Sequence, residues 1–250
     1  MSSNLTEGTA IMDVIDVTRI IPGRLALILL AAGLFAVLTI MAVEINSAWM
    51  TALDSSVWDW FNAHRTPQKH GHSAELFIYI GRPVHVAIAG LVSGALLAAA
   101  ARSITRLVVV TGTVGMGALI EQTFKLLVER TPESLSTLRD GSTLDWPELD
   151  HYVHSFPSGH VTGSATLLGT IAVCLAAGRS RAVKLAFAIP AVLGVVFVGC
   201  LALYVRAHVF TDVVGGMVLG GALVALSAAV VVKTSRRERR SPAVAVAARP

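Results

Sequence analysis

Apolar residues in this chain fall in long runs and not at the spacing of an amphipathic surface helix. A helix needs about 20 apolar residues to cross the hydrocarbon core of a bilayer. Five runs have about that length, and a sixth, at 161–177, is slightly shorter. The five are 25–43, 84–101, 107–128, 185–205 and 213–232. The pattern therefore predicts an all-α, polytopic membrane bundle with six transmembrane helices.

Composition and charge add an orientation to this prediction. Hydrophobic residues make up 54% of the chain and charged residues 14%, which is typical of a membrane protein. Because Lys and Arg near span ends stay cytoplasmic, the basic residues before 25, at 102–106, at 179–184 and at 233–240 place both termini inside. We expect a cytoplasmic segment at 1–24, a membrane domain at 25–233 and a basic, disordered cytoplasmic tail at 234–250, in the plasma (inner) membrane.

The first outward connection carries a second kind of helix. Residues 48–63 place tryptophans and other apolar residues around a short helix with acidic residues between them. Aromatic side chains with polar tips prefer the membrane interface. We therefore predict an interfacial amphipathic helix on the outer leaflet.

Ionisable side chains in or beside membrane spans are expensive and mark functional sites. Three clusters of polar residues occur here, and the charge-derived topology places all three at the outward face. They are Glu121, Lys125 and Arg130 at the outward end of the third span, the stretch 155–160 at the outward start of the fourth, and Arg206, His208 and Asp212 at the outward junction of the fifth and sixth.

The residue types in these clusters suit phosphoryl transfer. One imidazole can attack phosphorus while a second protonates the departing oxygen. Asp212, four residues after His208, can hold the tautomer of the attacking ring. Phosphoryl oxygens would meet Lys125, the Ser158 hydroxyl and backbone N–H groups at a helix start, where Gly159 lets the backbone come close. This chemistry needs no metal and no cofactor.

At these positions the sequence resembles the type 2 phosphatidic-acid phosphatase superfamily, which includes bacterial lipid phosphatases, glucose-6-phosphatase and vanadium haloperoxidases. The family pattern is Lys, six residues, Arg-Pro; then Pro-Ser-Gly-His; then Ser-Arg, five residues, His, three residues, Asp. Residues 157–160 match the second part, and His208 with Asp212 matches the end of the third. The resemblance implies that His208 is the nucleophile, Asp212 its orienting residue and His160 the leaving-group acid. It further implies that Lys125, Ser158 and Gly159 bind phosphate.

The chain departs from the family pattern at both arginines. Pro132 and Ala202 stand where the pattern has them. Arg130 lies two residues before the first vacancy, and Arg206 lies four residues after the second, on the same helical face one turn outward. We predict that these two arginines take over phosphate binding. Glu121, four residues before Lys125, is positioned to pair with that lysine and to compete with phosphate.

The resemblance implies a phosphatase acting on an isoprenoid or glycerolipid phosphate or diphosphate, such as undecaprenyl diphosphate, at the outer membrane face. Two other functions stay open at this point. One is a catalytically weakened relative that binds phosphorylated lipid, and the other is a transporter that uses charges within the membrane. Expected partners are membrane lipids and the lipid phosphate substrate, not nucleic acid. The sequence leaves the oligomeric state open.

Overall fold

The computed structural model describes residues 23–139 and 150–247, without the side chains of residues 67, 68, 139 and 233–247. The described residues form helices joined by turns and short 3₁₀ segments, with no strand among them. The α-helices are α1 (Gly23–Val43), α2 (Ala48–His64), α3 (Pro67–Gly81), α4 (Pro83–Ala101), α5 (Ile104–Leu127), α6 (Pro132–Ser136), α7 (Gly159–Ala176), α8 (Arg181–Tyr204) and α9 (Phe210–Ala247). The 3₁₀ segments are Thr137–Arg139 and Asp150–Tyr152.

Six of these helices are long and apolar enough to cross a membrane: α1, α4, α5, α7, α8 and the part of α9 from Phe210 to Val232. The predicted all-α bundle with six spans is therefore confirmed, with helix ends within a few residues of the apolar runs. Large apolar side chains such as Leu126, Val43 and Ile104 are exposed on these helices. Such exposure is expected where the solvent is lipid and not water.

Helices α7 and α9 form the centre of the bundle. Helix α9 packs against α1 and α7, and α7 also contacts α5 and α8. Small residues allow this close approach, since a Cβ on Gly220 would lie 2.3 Å from the Cβ of Ala165. Membrane helices associate through such van der Waals contacts, because lipid supplies no hydrophobic driving force between them. The start of α7 is thereby held directly against the start of α9.

The short helix predicted at 48–63 is present as α2, and one of its faces packs on the bundle. Met50, Asp54 and Trp58 are buried at intervals of four residues, whereas Trp49 and Trp60 are each 57% exposed. The sequence did not predict α3, which follows α2 and leads directly into the second span. Both non-spanning helices contribute to the site described below.

Two terminal predictions have different outcomes. The predicted disordered tail at 234–250 differs from the structure, which continues α9 through Ala247. Residues 234–240 are rich in Arg, a strong helix former, so the helix started in the membrane can continue beyond it. Most of the predicted segment 1–24 lies outside the described residues, as do residues 140–149.

Candidate active site

The three predicted polar clusters meet at one end of the bundle. The backbone N–H of Ser158, which is the N-cap residue of α7, donates to the carbonyl oxygen of Asp212 at 2.9 Å. Arg130, just after α5, donates to the Asp212 carboxylate at 2.6 Å. Asp212 in the first turn of α9 thus connects segments that are far apart in sequence, and each of the three predicted polar clusters contributes a residue to this contact.

His208 and Asp212 form a buried pair. Nδ1 of His208 lies 3.3 Å from Oδ2 of Asp212, and the same oxygen accepts the backbone N–H of Val209 at 3.4 Å. Asp212 is 0% exposed. An acceptor at Nδ1 assigns the ring proton to that nitrogen. The other nitrogen, Nε2, is then the one available for nucleophilic attack.

Arg130 lies on the far side of Asp212 and is occupied by the protein itself. Nη1 of Arg130 donates to Oδ2 of Asp54 at 3.1 Å, and Nη2 donates both to Oδ1 of Asp212 and to the Thr211 hydroxyl, the latter at 2.8 Å. Asp54 accepts the backbone N–H of Thr211 at 2.7 Å and its hydroxyl at 2.8 Å. Arg130 and Asp54 are only 3% and 2% exposed. This placement differs from the predicted contact between Arg130 and substrate phosphate.

Burial and neighbouring charge set the ionisation of this network. Burial raises the pKa of the Asp54 carboxyl to about 6, against the opposing effect of Arg130, and the nearby Asp212 charge raises it further. Burial alone would lower the pKa of Arg130, but the carboxylates of Asp212 and Asp54 raise it above its ordinary value. Arg130 therefore stays charged between two buried carboxyl groups.

His160 occupies the first turn of α7 and is held by α3. Its ring stacks on Phe77 with centroids 4.0 Å apart and planes inclined by 13°. A Cβ on Gly81 would lie 1.6 Å from Cδ2 of His160, so any side chain at this position would have to displace the His160 ring. The centroids of the His160 and His208 rings are 6.4 Å apart. The two predicted catalytic histidines therefore face one small volume.

Lys125, Ser158 and Gly159 were predicted to bind phosphate and are called the cradle below. A carboxylate of the protein, that of Glu121, already occupies this cradle. Oε1 of Glu121 lies 2.5 Å from Nζ of Lys125, which confirms their predicted pairing. The Glu121 carboxylate also lies close to Gly159, since a Cβ built there would be 2.9 Å from the same oxygen. An oxyanion at this helix start is what partial positive charge on the N-terminal N–H groups favours. Ser158, which is fully buried, uses its hydroxyl to cap α7 by accepting the N–H of Val161 at 3.5 Å.

A cavity of about 440 Å³ begins at this cradle and lies between α4, α5 and α7. Its polar end consists of Glu121, Gln122, Lys125 and His160, and its apolar walls come from α4, α5 and α7. Val86, Leu91 and Val114 are among those wall residues. A charged end joined to an apolar channel suits an amphipathic ligand with a phosphorylated head.

Arg206 is placed elsewhere. It is not among the residues that line the cavity of Lys125 and His160. Its Nε donates to Oδ1 of Asn62 at 2.9 Å, and its guanidinium lies 5.2 Å from the ring centroid of Trp58. The structure therefore does not bring the two substitute arginines together at the cradle.

Comparison with known proteins identifies the family. The model of the PAP2 superfamily matches residues 103–236, more than half of the chain. This chain belongs to the PAP2 superfamily. Among solved structures, the fold is similar to the crystal structure of the first transmembrane PAP2 type phosphatidylglycerolphosphate phosphatase from Bacillus subtilis, with a TM-score of 0.62 and 22% identity. That match covers 83% of this chain and 96% of the other. No curated protein matches the chain.

Membership in the PAP2 superfamily and the six-span fold support a membrane lipid phosphatase. Within this PAP2 protein, sequence reasoning missed Asp54, Thr211 and the contacts of Phe77 and Gly81 with His160. Asp54 carried one usable signal, because it falls midway between Met50 and Trp58 on a single face of α2. An acidic residue on an otherwise apolar face indicates a buried partner.

Proposed function

We propose that this PAP2 protein hydrolyses a phosphomonoester or diphosphate of a membrane lipid through a phosphohistidine intermediate on His208. The observation that carries the proposal is the buried His208–Asp212 pair, which faces His160 across a 6.4 Å gap between ring centroids. Lys125 and the start of α7 line the same cavity as His160 and can bind the phosphoryl oxygens. We propose that the Ser158 side chain caps the start of α7 and that Gly159 lets the backbone of this helix start approach the phosphate closely.

In the first step, Nε2 of His208 attacks phosphorus and the bond from phosphorus to the lipid or leaving-phosphate oxygen breaks. Protonated His160 transfers its proton to that oxygen. Asp212 stabilises the imidazolium that results from attack. In the second step, a water molecule gives its proton to His160 and attacks phosphorus, so the bond between phosphorus and His208 breaks. Inorganic phosphate leaves, and His160 is protonated again for the next cycle.

In this mechanism Arg130 is a positioning residue and not a phosphate ligand. Its hydrogen bonds hold Asp212 from the side opposite to His208. Asp54 in turn holds Arg130 and the first turn of α9. The interfacial helix α2 is therefore connected to the nucleophile through two buried ion pairs.

The proposed substrate is an isoprenoid or glycerolipid phosphate or diphosphate. The apolar walls of the 440 Å³ cavity support a hydrocarbon tail next to the phosphate. Basic residues at the opposite ends of the spans support an active site on the outer face of the plasma membrane. An outer site favours recycling of a polyprenyl carrier such as undecaprenyl diphosphate.

The proposed orientation can be tested with Ser136→Cys, because Ser136 is exposed. This cysteine should react with a membrane-impermeant reagent added outside intact cells. Failure to react unless the membrane is opened would reject the orientation.

The competing candidate is a relative that binds phosphorylated lipid without hydrolysing it. Pro132 and Ala202 motivate it, as does the engagement of Lys125 by Glu121. The discriminating experiment measures phosphate release by the purified full chain in detergent from a panel of lipid monophosphates and diphosphates. We expect turnover that His208→Ala abolishes and that Asp212→Asn reduces by up to about 10⁴-fold, because the wrong tautomer is then favoured.

The matched control is His151→Ala, which removes an exposed histidine outside the site and should leave turnover unchanged. Failure to trap a phosphohistidine on His208 under alkaline conditions, together with rates for His208→Ala equal to those of the unaltered chain, would reject the mechanism. A chain that binds these lipids but releases no phosphate from any of them would establish the competing function.

A further inference from the structure

The cavity that begins at the cradle continues as an apolar slot along α5. The lining on this helix extends from Lys125 to Thr111, which is about 21 Å at about 1.5 Å per residue. Ala118 and Gly115 line the slot between these two residues, so it passes small side chains in the middle of a helix long enough to span the membrane. The Thr111 hydroxyl donates to the carbonyl oxygen of Leu107 at 2.8 Å and therefore needs no partner from a ligand.

The slot is closed at the end away from the cradle. There α4 and α5 come so close that a Cβ on Gly94 would lie 3.3 Å from the Cα of Leu107. Leu97 of α4 and Val110 of α5 belong to one buried hydrophobic cluster, just beyond the last lining residues of the two helices. A ligand with its head in the cradle therefore has a limited length of slot for its tail.

Length and volume each give the size of the tail that the slot can hold. An extended chain advances about 1.2 Å per bond, since three backbone bonds span at most about 3.6 Å, so about 21 Å corresponds to about 17 carbon atoms. By volume, a cavity of about 150 Å³ binds benzene, so about 440 Å³ holds on the order of 18 carbon atoms. The two values agree on a single hydrocarbon tail and leave no volume for a second.

We propose that the slot binds one hydrocarbon tail of the lipid phosphate and that Gly115 and Ala118 determine how long a tail it accepts. This inference rests on the proposed function, because it places the phosphate head in the cradle beside Lys125. A wall without contacting atoms forfeits dispersion energy, which a tail lying along α5 restores. A larger side chain at either position would occupy the path of the tail. The tail is either acyl or isoprenoid, and a second tail of a glycerolipid would stay in the bilayer.

The test measures how the affinity for alkyl phosphonates depends on their tail length. The proposed mechanism does not break the carbon–phosphorus bond of a phosphonate, so binding is measured whether or not the protein has phosphatase activity. The purified full-length protein in detergent is dialysed against phosphonates of roughly 4 to 20 carbon atoms, which bracket the capacity of the slot. Micelles without protein correct for partition into detergent.

Gly115→Leu and Ala118→Leu block the slot at two depths, and Gly112→Leu is the matched control. Gly112 is exposed on the same helix and does not line the cavity. Nothing lies within 4 Å of a Cβ built at Gly112 or at Gly115, so leucine fits on the helix at both positions. The two glycine variants therefore differ in whether the new side chain lies in the slot.

In the unaltered protein each methylene that enters the slot should strengthen binding about fourfold, up to a plateau near about 17 carbon atoms. Ala118 lies seven residues and Gly115 ten residues before Lys125. The plateau should therefore shorten to about 9 carbon atoms in Ala118→Leu and to about 12 in Gly115→Leu, whereas Gly112→Leu should keep the plateau of the unaltered protein. Plateaus at one length in all four proteins, or affinity independent of tail length in the unaltered protein, would overturn the proposal.

Two further arms separate the kind of tail and the proposed function from this inference. Dodecyl and farnesyl phosphonates have main chains of equal length, so the tighter binder identifies an acyl or an isoprenoid tail as the one that the slot accepts. Phosphate release is then measured from the corresponding phosphates. Shifted plateaus without any turnover would reject hydrolysis and support the slot, whereas turnover with unshifted plateaus would reject the slot and support hydrolysis.

Discussion

Replacing Arg130 by glutamine separates a positioning role for this residue from direct phosphate binding. The side chain is 3% exposed and makes three hydrogen bonds, two of them to the buried carboxyl groups of Asp54 and Asp212. Removing one partner of a buried ion pair costs about 3–5 kcal/mol, because it leaves charge uncompensated. For a chain of this length that cost corresponds to a fall of roughly 10 °C in thermal midpoint.

The same substitution should lower turnover through Asp212. The 2.6 Å charge-assisted hydrogen bond stabilises the orientation of that carboxylate, and its loss removes about 1.5–3 kcal/mol of this stabilisation. At 1.36 kcal/mol per factor of ten, kcat should fall about 10- to 100-fold. KM should change little, because Arg130 does not contact the substrate in this arrangement. The assay is phosphate release in detergent together with thermal unfolding.

A double-mutant cycle with Asp54→Asn provides the internal check. In the Arg130→Gln chain, Asp54→Asn removes one of the uncompensated buried carboxylates, so the double variant should be more stable than Arg130→Gln alone. Exposed Arg82 provides the matched control, and Arg82→Gln should leave both stability and kcat unchanged. Two results would refute this reasoning: a raised KM with an unchanged thermal midpoint for Arg130→Gln, and additive effects of Arg130→Gln and Asp54→Asn. They would mean that Arg130 binds the substrate phosphate directly.

Three further predictions concern the neighbours of this network. Gly81→Ala should reduce kcat at least tenfold, because a Cβ would displace the His160 ring. Gly71→Ala on the same helix should leave kcat unchanged, because nothing lies within 4 Å of a Cβ built there. Equal rates for the two variants would contradict the stacked placement of His160. Glu121→Gln should lower KM for lipid phosphate several-fold by releasing Lys125; a higher KM would mean that the carboxylate assists binding. The pKa of Asp54 is about 6 in the folded chain and 3.8, its ordinary value, in the unfolded chain. Between these pH values the folded chain therefore binds more protons, and the free energy of unfolding should fall as pH rises. Asp54→Asn should flatten that slope in thermal unfolding between these pH values, and an unaltered slope would contradict the raised pKa.

Local information in the sequence was sufficient for the membrane architecture. An apolar run of about 20 residues has one stable state in a bilayer, since its backbone hydrogen bonds must be satisfied within the helix. The six spans follow from this constraint alone. The pairing of Glu121 with Lys125 was equally predictable, because a helix fixes the separation of residues four apart.

The spacing of His208 and Asp212 in the sequence predicted their pairing, but it did not predict which residues surround the pair. His208 and Asp212 are close in sequence, so a single turn brings them together. The position of Arg130 was predicted at the site, but its partner was not, because the choice between a phosphate and a carboxylate depends on Asp54, 76 residues away. The spacing of Met50, Asp54 and Trp58 marks a buried face of α2, but no local rule specifies that Arg130 is the residue this face meets.

Only the tertiary structure decided where the two substitute arginines point. Arg130 is directed to Asp212 by the packing of α2 on the start of α9, and Arg206 is directed to Asn62 and Trp58 by the left-handed turn after α8. Helical spacing placed Arg206 one turn outward on the face of Ala202, but α8 ends at Tyr204, so that spacing does not apply at Arg206. A periodicity argument holds only as far as its helix, and side chains beyond the end are directed by contacts between distant segments.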